Sequence, residues 1–530
     1  MAVLTIHFCG EVHSLSFEPG SSVRDLLEST EFRVRSGCRG NGACGLCRVR
    51  LLSGAGGPVT RSEQFHLHER RLERGERLAC QMHPLDDLTI DVLNPAAPSN
   101  WHATPEGLWR RGDIPGSDVL RELPNVRHPC GLAIDVGTTN ICLSVFELPE
   151  GRWFADRWGR NPQGAWGADV LTRLSAAAAS EETAQEMGEA VADAIGEALQ
   201  DIAVRHGLDL RRIAWITLVG NTAMLCLFTG RNYALLLRPE NWTEFIDCQP
   251  ADYTSWTERW SVHPEAEMEI LAPLAGFVGS DLLAGIVATG LSEGIAPALF
   301  VDVGTNSEVA LWDGRTLHVT AAAGGPAFES SGDFGMPAEP GAVYRVSSIE
   351  GRLDFHLLGD DRAKGVCGSG LVDLIARLRE GNILTATGNF MQKQAYAFTV
   401  GGQKMLLTKR DVDAFQRAKA AIAVGTLALC REAGIHTQEL RRICVAGAFG
   451  RYLDVTSGQE VGLLPPVPPE RVELVGNTAL AGCADVMLSS EAAERLSRLR
   501  KLPKLINLSY YPAFDDLFLE NLYLRPIKDD

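Results

Sequence analysis

One phrase of this sequence occurs twice, and it constrains the fold more than any other feature. Leu132-Ala-Ile-Asp-Val-Gly-Thr-Thr-Asn140 is echoed by Leu299-Phe-Val-Asp-Val-Gly-Thr-Asn-Ser307. In each copy an apolar, strand-like run ends at an aspartate and a tight glycine turn. Two such strands predict two similar lobes, starting near residues 130 and 298. A second echo, Val219-Gly-Asn-Thr-Ala-Met224 and Val475-Gly-Asn-Thr-Ala-Leu480, has a comparable place after each lobe's start and adds weaker support. Beyond Cys130 the chain alternates apolar runs with helical stretches (Glu181 to His206, Val412 to Ala433), the pattern of an α/β fold.

The first 95 residues are different in kind. Val3 to Phe8 and Val12 to Phe17 alternate with a period of two around Cys9-Gly10-Glu11 and predict a hairpin, and Ser22 can cap a short helix through Leu26 and Leu27. A glycine-rich loop follows, then a strand over Arg48 to Leu52, a helical stretch near Ser62 to Leu72 and a closing strand over Leu88 to Leu93. That order describes a small α+β unit of the β-grasp kind. From 96 to 129 prolines and glycines appear without sustained periodicity, which predicts a linker.

Cys38, Cys44 and Cys47 are spaced C-x5-C-x2-C, and Cys80 follows alone. Three thiolates on one loop and one on a distant segment meet the need of a [2Fe-2S] cluster, whose irons each take two cysteine sulfurs. Gly37, Gly40, Gly42 and Gly45 allow a chain to wrap tightly and aim N–H groups at sulfur. The rival is a structural zinc site, since Cys44 and Cys47 have zinc-like spacing. Zinc sites usually pair two such knuckles, so the solitary fourth cysteine favours the cluster. Residues 1 to 95 resemble a ferredoxin of the adrenodoxin-like spacing class. The segment is nearly balanced in charge, which suits an electron partner that is tethered or docked by shape. Among the other cysteines, Cys142, Cys226, Cys430, Cys444 and Cys483 sit in apolar surroundings and are expected to be core side chains.

Composition removes other classes. With 67 acidic residues against 50 Lys plus Arg the formal charge is −17, the wrong sign for a nucleic-acid binder. No apolar stretch approaches the roughly 20 residues of a membrane span, and the N-terminus lacks a basic leader region, so a cytoplasmic protein is expected. Thirteen cysteines over such a chain argue for metal ligation and against a disulfide framework.

The repeated turns carry phosphate chemistry. Backbone N–H groups and Thr hydroxyls at Asp135-Val-Gly137-Thr138-Thr139 and Asp302-Val-Gly304-Thr305-Asn306 can close on phosphate oxygens, while each aspartate can hold Mg²⁺ through water. A third strand breaks into glycines at Gly447-Ala448-Phe449-Gly450, where adenine and ribose can lie against backbone. No Walker A motif is present. The three elements resemble the phosphate 1, phosphate 2 and adenosine motifs of the acetate and sugar kinase, heat-shock-70 and actin superfamily, abbreviated ASKHA.

A [2Fe-2S] domain (1–95), a linker (96–129) and a two-lobed, ribonuclease-H-like, actin-like ATPase (130–530) together resemble the RACo-type reductive activators of corrinoid proteins. Gly276 to Asp281, Gly324 to Glu329 and Val366 to Asp373 extend that likeness. The ATPase begins almost directly after the linker, which leaves little room for the middle domain expected in longer relatives. The resemblance implies one-electron reduction of Co(II) to Co(I) cobalamin for a methyltransferase system, driven by ATP with Mg²⁺. It implies cluster ligation by Cys38, Cys44, Cys47 and Cys80, with Asp135, Asp302 and Glu329 as candidate catalytic carboxylates. Implied partners are a corrinoid protein and an electron-donating reductase, and a homodimer is an allowed assembly. Two neighbouring readings are an iron-sulfur redox sensor that gates partner binding by nucleotide and an activase of a radical dehydratase. The latter usually shares a cluster between subunits, whereas here four candidate ligands precede the ATPase. A small-molecule kinase has no use for a ferredoxin domain. Trp242, Trp256 and Trp260 are expected to pack the core of an inserted subdomain, and Phe514 to Leu524 to form a terminal packing element.

Overall fold

The computed structural model describes the chain apart from residues 1, 9–10, 18, 29–31, 33, 35–41, 43–44, 46, 68, 96–100, 103–123, 168, 305, 323, 325–333, 339–340, 350–351, 359–362, 393, 448 and 530. Most of the expected linker thus lies outside the described residues. The chain divides into two compact units, Met1–His102 with Gln200–Asp209, and Ala103–Leu199 with Leu210–Asp530.

In the first unit, strands β1 (Ala2–Phe8), β2 (Glu11–Phe17), β3 (Arg48–Ser53), β4 (Glu76–Leu78) and β5 (Leu88–Val92) form one sheet in the order β2-β1-β5-β3-β4. Helix α1 (Val23–Glu28) is capped by Ser22, whose Oγ accepts from the Asp25 N–H at 3.2 Å. Helices α2 (Arg61–His66) and α3 (Glu69–Leu72) replace the single helical stretch expected there. β1 and β2 make the expected hairpin, and β1 runs parallel to β5 with Leu4 opposite Leu88 and Ile6 opposite Ile90. Those four residues point to one face and join Phe17, Leu27, Val49 and Leu78 in the core, as the two-residue period of a strand dictates. The three-residue β4 has no alternation to betray it. It is held by Arg77, which donates through Nε to the fully buried Glu63 at 2.7 Å, while Glu63 and Thr60 form the capping box of α2.

The second unit opens with β6 (Cys130–Val136), β7 (Asn140–Glu147) and β8 (Arg152–Arg160). Next come α4 (Val170–Ala179), α5 (Glu181–His206, of which the part from Gln200 onward groups with the first unit), β9 (Ile213–Gly220), α6 (Thr222–Thr229), α7 (Thr254–Trp260), β10 (Glu267–Ile270) and α8 (Ser280–Thr289). A second series follows: β11 (Ala298–Asp302), β12 (Ser307–Trp312) and β13 (Leu317–Ala322), then a subdomain of β14 (Ala342–Ile349), β15 (Arg352–Leu357), β16 (Gly365–Val366), α9 (Gly368–Glu380), β17 (Ala395–Val400) and β18 (Gln403–Thr408). The chain closes with α10 (Lys409–Ala433), β19 (Arg442–Ala446), α11 (Phe449–Tyr452), α12 (Val455–Glu460), β20 (Val472–Gly476), α13 (Thr478–Leu488), α14 (Ser490–Leu499), β21 (Pro503–Leu505) and α15 (Phe514–Asn521).

The sheets are β10-β9-β6-β7-β8 and β20-β19-β11-β12-β13-β21. In each, three antiparallel strands lead and two parallel strands add on the far side of the first. β6 and β11 are therefore equivalent central strands, and the duplication expected from the first echo is a duplication of topology. The second echo is not equivalent in that sense, because Val219 belongs to the fourth strand of its lobe and Val475 to the fifth of the other. In β11, Leu299 and Val301 face one core while Ala298 and Phe300 face another, the signature of a strand covered on both sides. The second of these cores is shared by α8 and α13. A Cβ placed on Gly482 would lie 1.9 Å from the Ala284 carbonyl oxygen, so these helices touch backbone to backbone where glycine permits it.

Of the three tryptophans expected to pack a core, Trp260 does so fully and Trp242 and Trp256 are half-buried. Trp260 is fully buried and donates to the Ala192 carbonyl at 2.8 Å, and Trp256 stacks on Phe228 at 4.1 Å. α15 packs Leu517 against Ala421 and Val424 of α10. Cys226, Cys430, Cys444 and Cys483 are buried and Cys142 is half-buried. Among the described residues no helix is long and apolar enough to cross a membrane.

Candidate functional site

Two sites are built by separate units. In the first, Cys80 sits in the short turn Ala79–Gln81, and Cys47 directly precedes β3. The Ala79 N–H donates to the Cys47 carbonyl at 2.8 Å, which ties the two segments together. The Cys80 thiol is lowered to about 6, first by its hydrogen bond with Cys47, then by the Gln81 side chain, the Gly42 N–H and the Arg24 charge, with burial opposing them. Both sulfurs are buried, and the Gln81 amide lies 3.5 Å from the Cys80 sulfur. Gly42 and Gly45 have φ of +75° and +66°, and a Cβ on Gly45 would lie 2.7 Å from the His66 ring. The loop therefore needs glycine both for its backbone and for the approach of α2. Two adjacent thiols, one of them held toward its anion by the Gln81 amide and the Gly42 N–H, fit an iron-sulfur cluster. Cys38 and Cys44 lie outside the described residues.

In the second unit the two Asp-Val-Gly-Thr turns come together. Asp135 is the penultimate residue of β6 and Asp302 ends β11, and the Asn306 side chain after the second turn donates to Thr138 Oγ1 in the first at 3.1 Å. Around them stand two acids without an assigned role from sequence: Asp281 in the first turn of α8 and Glu308 in β12. Burial raises all four, and repulsion from neighbouring carboxylates adds to it at Asp135, Asp302 and Glu308. Asp135 is pushed to about 8, Asp302 to about 7 and Asp281 to about 6, and Glu308 is raised well above its usual range. Two asparagines hold the cluster. Asn477 donates to Asp135 at 3.2 Å and Asn221 to Glu308 at 3.1 Å, each across from one lobe to the other. Both also cap helices, α13 and α6. Among the described residues no three carboxylate, His or Cys groups converge closely enough to hold a metal ion. The set fits a cation such as Mg²⁺ that keeps several waters and takes its remaining ligands from phosphate.

The first turn is held from behind. Its Gly137 carbonyl accepts from Asn161 Nδ2 at 2.8 Å, its Thr138 carbonyl from Arg173 Nη1 at 2.7 Å, and its Thr139 carbonyl from the Asn161 N–H at 2.8 Å. At the third motif, Gly447 has φ +76°, and a Cβ there would lie 2.7 Å from Asp302 Oδ1, so this turn rests on the second aspartate. The Phe449 side chain belongs to the core of the second lobe, and Gly450 lets α11 approach the Val445 carbonyl. A ligand here meets backbone. Gly304, whose N–H and carbonyl both meet Ser307 Oγ, completes the second turn. Thr305, Glu329 and Ala448 lie outside the described residues.

Sequence reasoning missed Asp281, Glu308, Asn221, Asn477, Asn161 and Arg173 as site residues. Asn221 and Asn477 were visible as the second echo, and a strand followed by Asn-Thr-Ala is a capping signal. Asp281 closes the segment Gly276 to Asp281, to which the sequence alone assigns no role. Nothing local distinguishes Arg173.

Residues 6–85 match the 2Fe-2S iron-sulfur cluster binding domain, residues 130–294 the RACo middle region, and residues 296–530 the C-terminal domain of RACo, the ASKHA domain. The expected lack of room for a middle domain is thereby corrected: the first ribonuclease-H-like lobe occupies that region. A corrinoid activation enzyme, RamQ, of Eubacterium limosum is 30% identical over 419 residues, covering 74% of this chain and 70% of that protein. A Co(II) methylated amine-specific corrinoid protein reductase of Methanosarcina barkeri is 25% identical over 430 residues, covering 74% and 76%. A solved reductive activator for a corrinoid, iron-sulfur protein aligns over 99% of both chains with a TM-score of 0.67 at 23% identity, a likeness of fold. With an iron-sulfur unit, a duplicated nucleotide-type fold and relatives that span most of both chains, this chain belongs to the RACo-type family of reductive activators of corrinoid proteins.

Proposed function

We propose that this chain restores a corrinoid protein of a methyltransferase system from Co(II) to Co(I) by one-electron transfer coupled to ATP hydrolysis, in the cytoplasm, with electrons supplied by a separate reductase. The observation that carries this reading is the joining, in one chain, of a buried Cys47–Cys80 pair in a ferredoxin-type unit to two facing Asp-Val-Gly-Thr turns in a two-lobed unit.

Cys47 and Cys80, with Cys38 and Cys44, would hold the [2Fe-2S] cluster, which supplies a one-electron carrier. Gln81 and Arg24 place positive potential on the Cys80 sulfur and thereby favour the more negatively charged, reduced state. In the second unit the turn at Gly137 to Thr139 and that at Gly304 to Asn306 would bind the phosphates of ATP from opposite lobes. Asp135 and Asp302 would face Mg²⁺ through water. Asn477 and Asn221 keep Asp135 and Glu308 oriented while the lobes close. Reduction of Co(II) by a ferredoxin-class donor is uphill, and each ~59 mV of mismatch costs about tenfold. Lobe closure around ATP and reopening after hydrolysis offer a way to make the transfer one-way, because each nucleotide state favours a different arrangement of the binding surfaces.

The test is anaerobic: a Co(II) corrinoid protein is mixed with this protein and a reductant, and the Co(I) absorption band is followed with and without Mg-ATP. Co(I) that appears only with ATP and intact cluster supports the reading. Reduction of the cluster without Co(I) formation across several corrinoid partners refutes it.

A further inference from the structure

Arg173 lies in the first turn of α4 and is only 3% exposed. Its Nε donates to the Gly167 carbonyl at 2.8 Å, and its Nη1 to the Thr138 carbonyl at 2.7 Å and toward Met224 Sδ at 3.4 Å. Among the described residues no carboxylate lies within ion-pair distance of it. Asp169 attracts it only through space, being engaged with the Thr172 N–H and hydroxyl as the cap of α4. Burial lowers it only to about 10, so it carries its charge at neutral pH. A buried cation that meets, among the described residues, only neutral carbonyls and a thioether is costly, and a turn can be pinned without one. Asn161 shows one of them, holding the Gly137 and Thr139 carbonyls with an amide and a backbone N–H.

The position of the charge explains what a neutral donor could not do. The Thr138 carbonyl and the Thr139 N–H are opposite ends of one planar trans peptide and point in opposite directions. A guanidinium on the carbonyl end therefore directs the N–H end away from itself and polarises it as a donor, since hydrogen bonds in a chain strengthen one another. It also adds positive potential behind a turn that otherwise looks onto four acidic groups. We propose that Arg173 is a positioning residue for nucleotide phosphate: its buried charge, acting through the Thr138–Thr139 peptide, turns the first glycine turn into an anion-binding element. This rests on the reading of these turns as an ATP site.

The full-length protein is titrated calorimetrically with Mg-ATP and, separately, with adenosine, alongside Arg173→Gln and Arg173→Lys. Gln keeps an N–H donor and removes the charge. Arg173→Gln should weaken ATP about tenfold, the difference between a charged and a neutral hydrogen bond, and leave adenosine unchanged, whereas Arg173→Lys should stay within about threefold of the parent for both. ATP binding by Arg173→Gln equal to that of the parent overturns the proposal, and so does an equal loss for ATP and adenosine, which marks a purely structural role. Should Arg173→Gln fail to fold, Arg173→Lys decides alone: retained ATP affinity supports the charge role, and equal loss of both ligands overturns it. If the parent protein binds no ATP, the nucleotide reading itself fails, an outcome distinct from any behaviour of the variants.

Discussion

Raised carboxyl groups in the nucleotide unit lead to an inverted pH dependence of stability. Asp135 is pushed to about 8 in the folded chain, chiefly by burial and then by Asp281, from an ordinary value near 3.8. Between those values the folded state binds a proton that the unfolded state does not, so stability is greatest in acid and falls as pH rises through the folded value. Between pH 6 and pH 8 Asp135 passes from nearly protonated to half ionised, a loss of about 2 kcal/mol at 1.36 kcal/mol per proton per pH unit. Asp302, raised to about 7 by burial and Asp281, acts in the same direction with about 1 kcal/mol more. Mg²⁺ favours the ionised forms, so stabilisation by Mg-ATP should grow over the same interval. The assay is urea unfolding of nucleotide-free, EDTA-treated protein at pH 6 and pH 8, read by the fluorescence of the buried Trp215 and Trp260. Asp135→Asn should remove about 2 kcal/mol of the difference between the two pH values. Parallel pH profiles for parent and variant would refute the reasoning.

Cys47→Ser or Cys80→Ser should abolish the visible [2Fe-2S] spectrum while calorimetric ATP binding is unchanged; a full spectrum in either variant removes the ligand assignment. In the ferredoxin unit, Arg77→Met should cost about 3 to 5 kcal/mol in denaturant unfolding by leaving the Glu63 carboxylate buried without its partner. Burial pushes Glu63 up, yet Arg77 and the Thr60 and Leu78 N–H groups more than offset this and hold it below its usual value of 4.5. That contribution is present above the unfolded value and is lost as pH falls through the folded one, so acid should weaken this unit while it stabilises the other. Gly482→Ala puts a methyl 1.9 Å from the Ala284 carbonyl, which should force α8 from α13 at a cost of about 1 to 3 kcal/mol or more. A thermal midpoint and an ATPase rate equal to those of the parent would show that this helix contact does not couple the lobes.

Much of this molecule is legible along the chain because the relevant physics is local. Hairpin alternation placed β1 and β2 within a residue, the helix from Glu181 to His206 carried its own periodicity, and Gly42 and Gly45 took the positive φ that a tight cysteine loop demands. β4 escaped because three residues held by a buried Arg77–Glu63 pair have no pattern of their own. The strand ending in Gly220 and the strand ending in Gly476 look alike in sequence and differ in rank within their sheets, since a shared Asn-Thr-Ala capping signal speaks to the helix that follows and not to the strand order.

The sequence by itself determined the chemical inventory: four spaced thiols, two aspartate-glycine turns and a glycine-rich third strand, each made by neighbours within a few residues. Only the tertiary structure decided what faces what. Strand order brought β6 and β11 to equivalent central places, the glycine crossing of α8 and α13 set them close, and Asn477, Asn221, Asp281, Glu308 and Arg173 thereby met turns from which most of them are far removed in sequence. Spacing along a chain reports backbone conformation, whereas the charge and hydrogen-bonding partners of a buried group depend on whichever remote segments the packing lays against it.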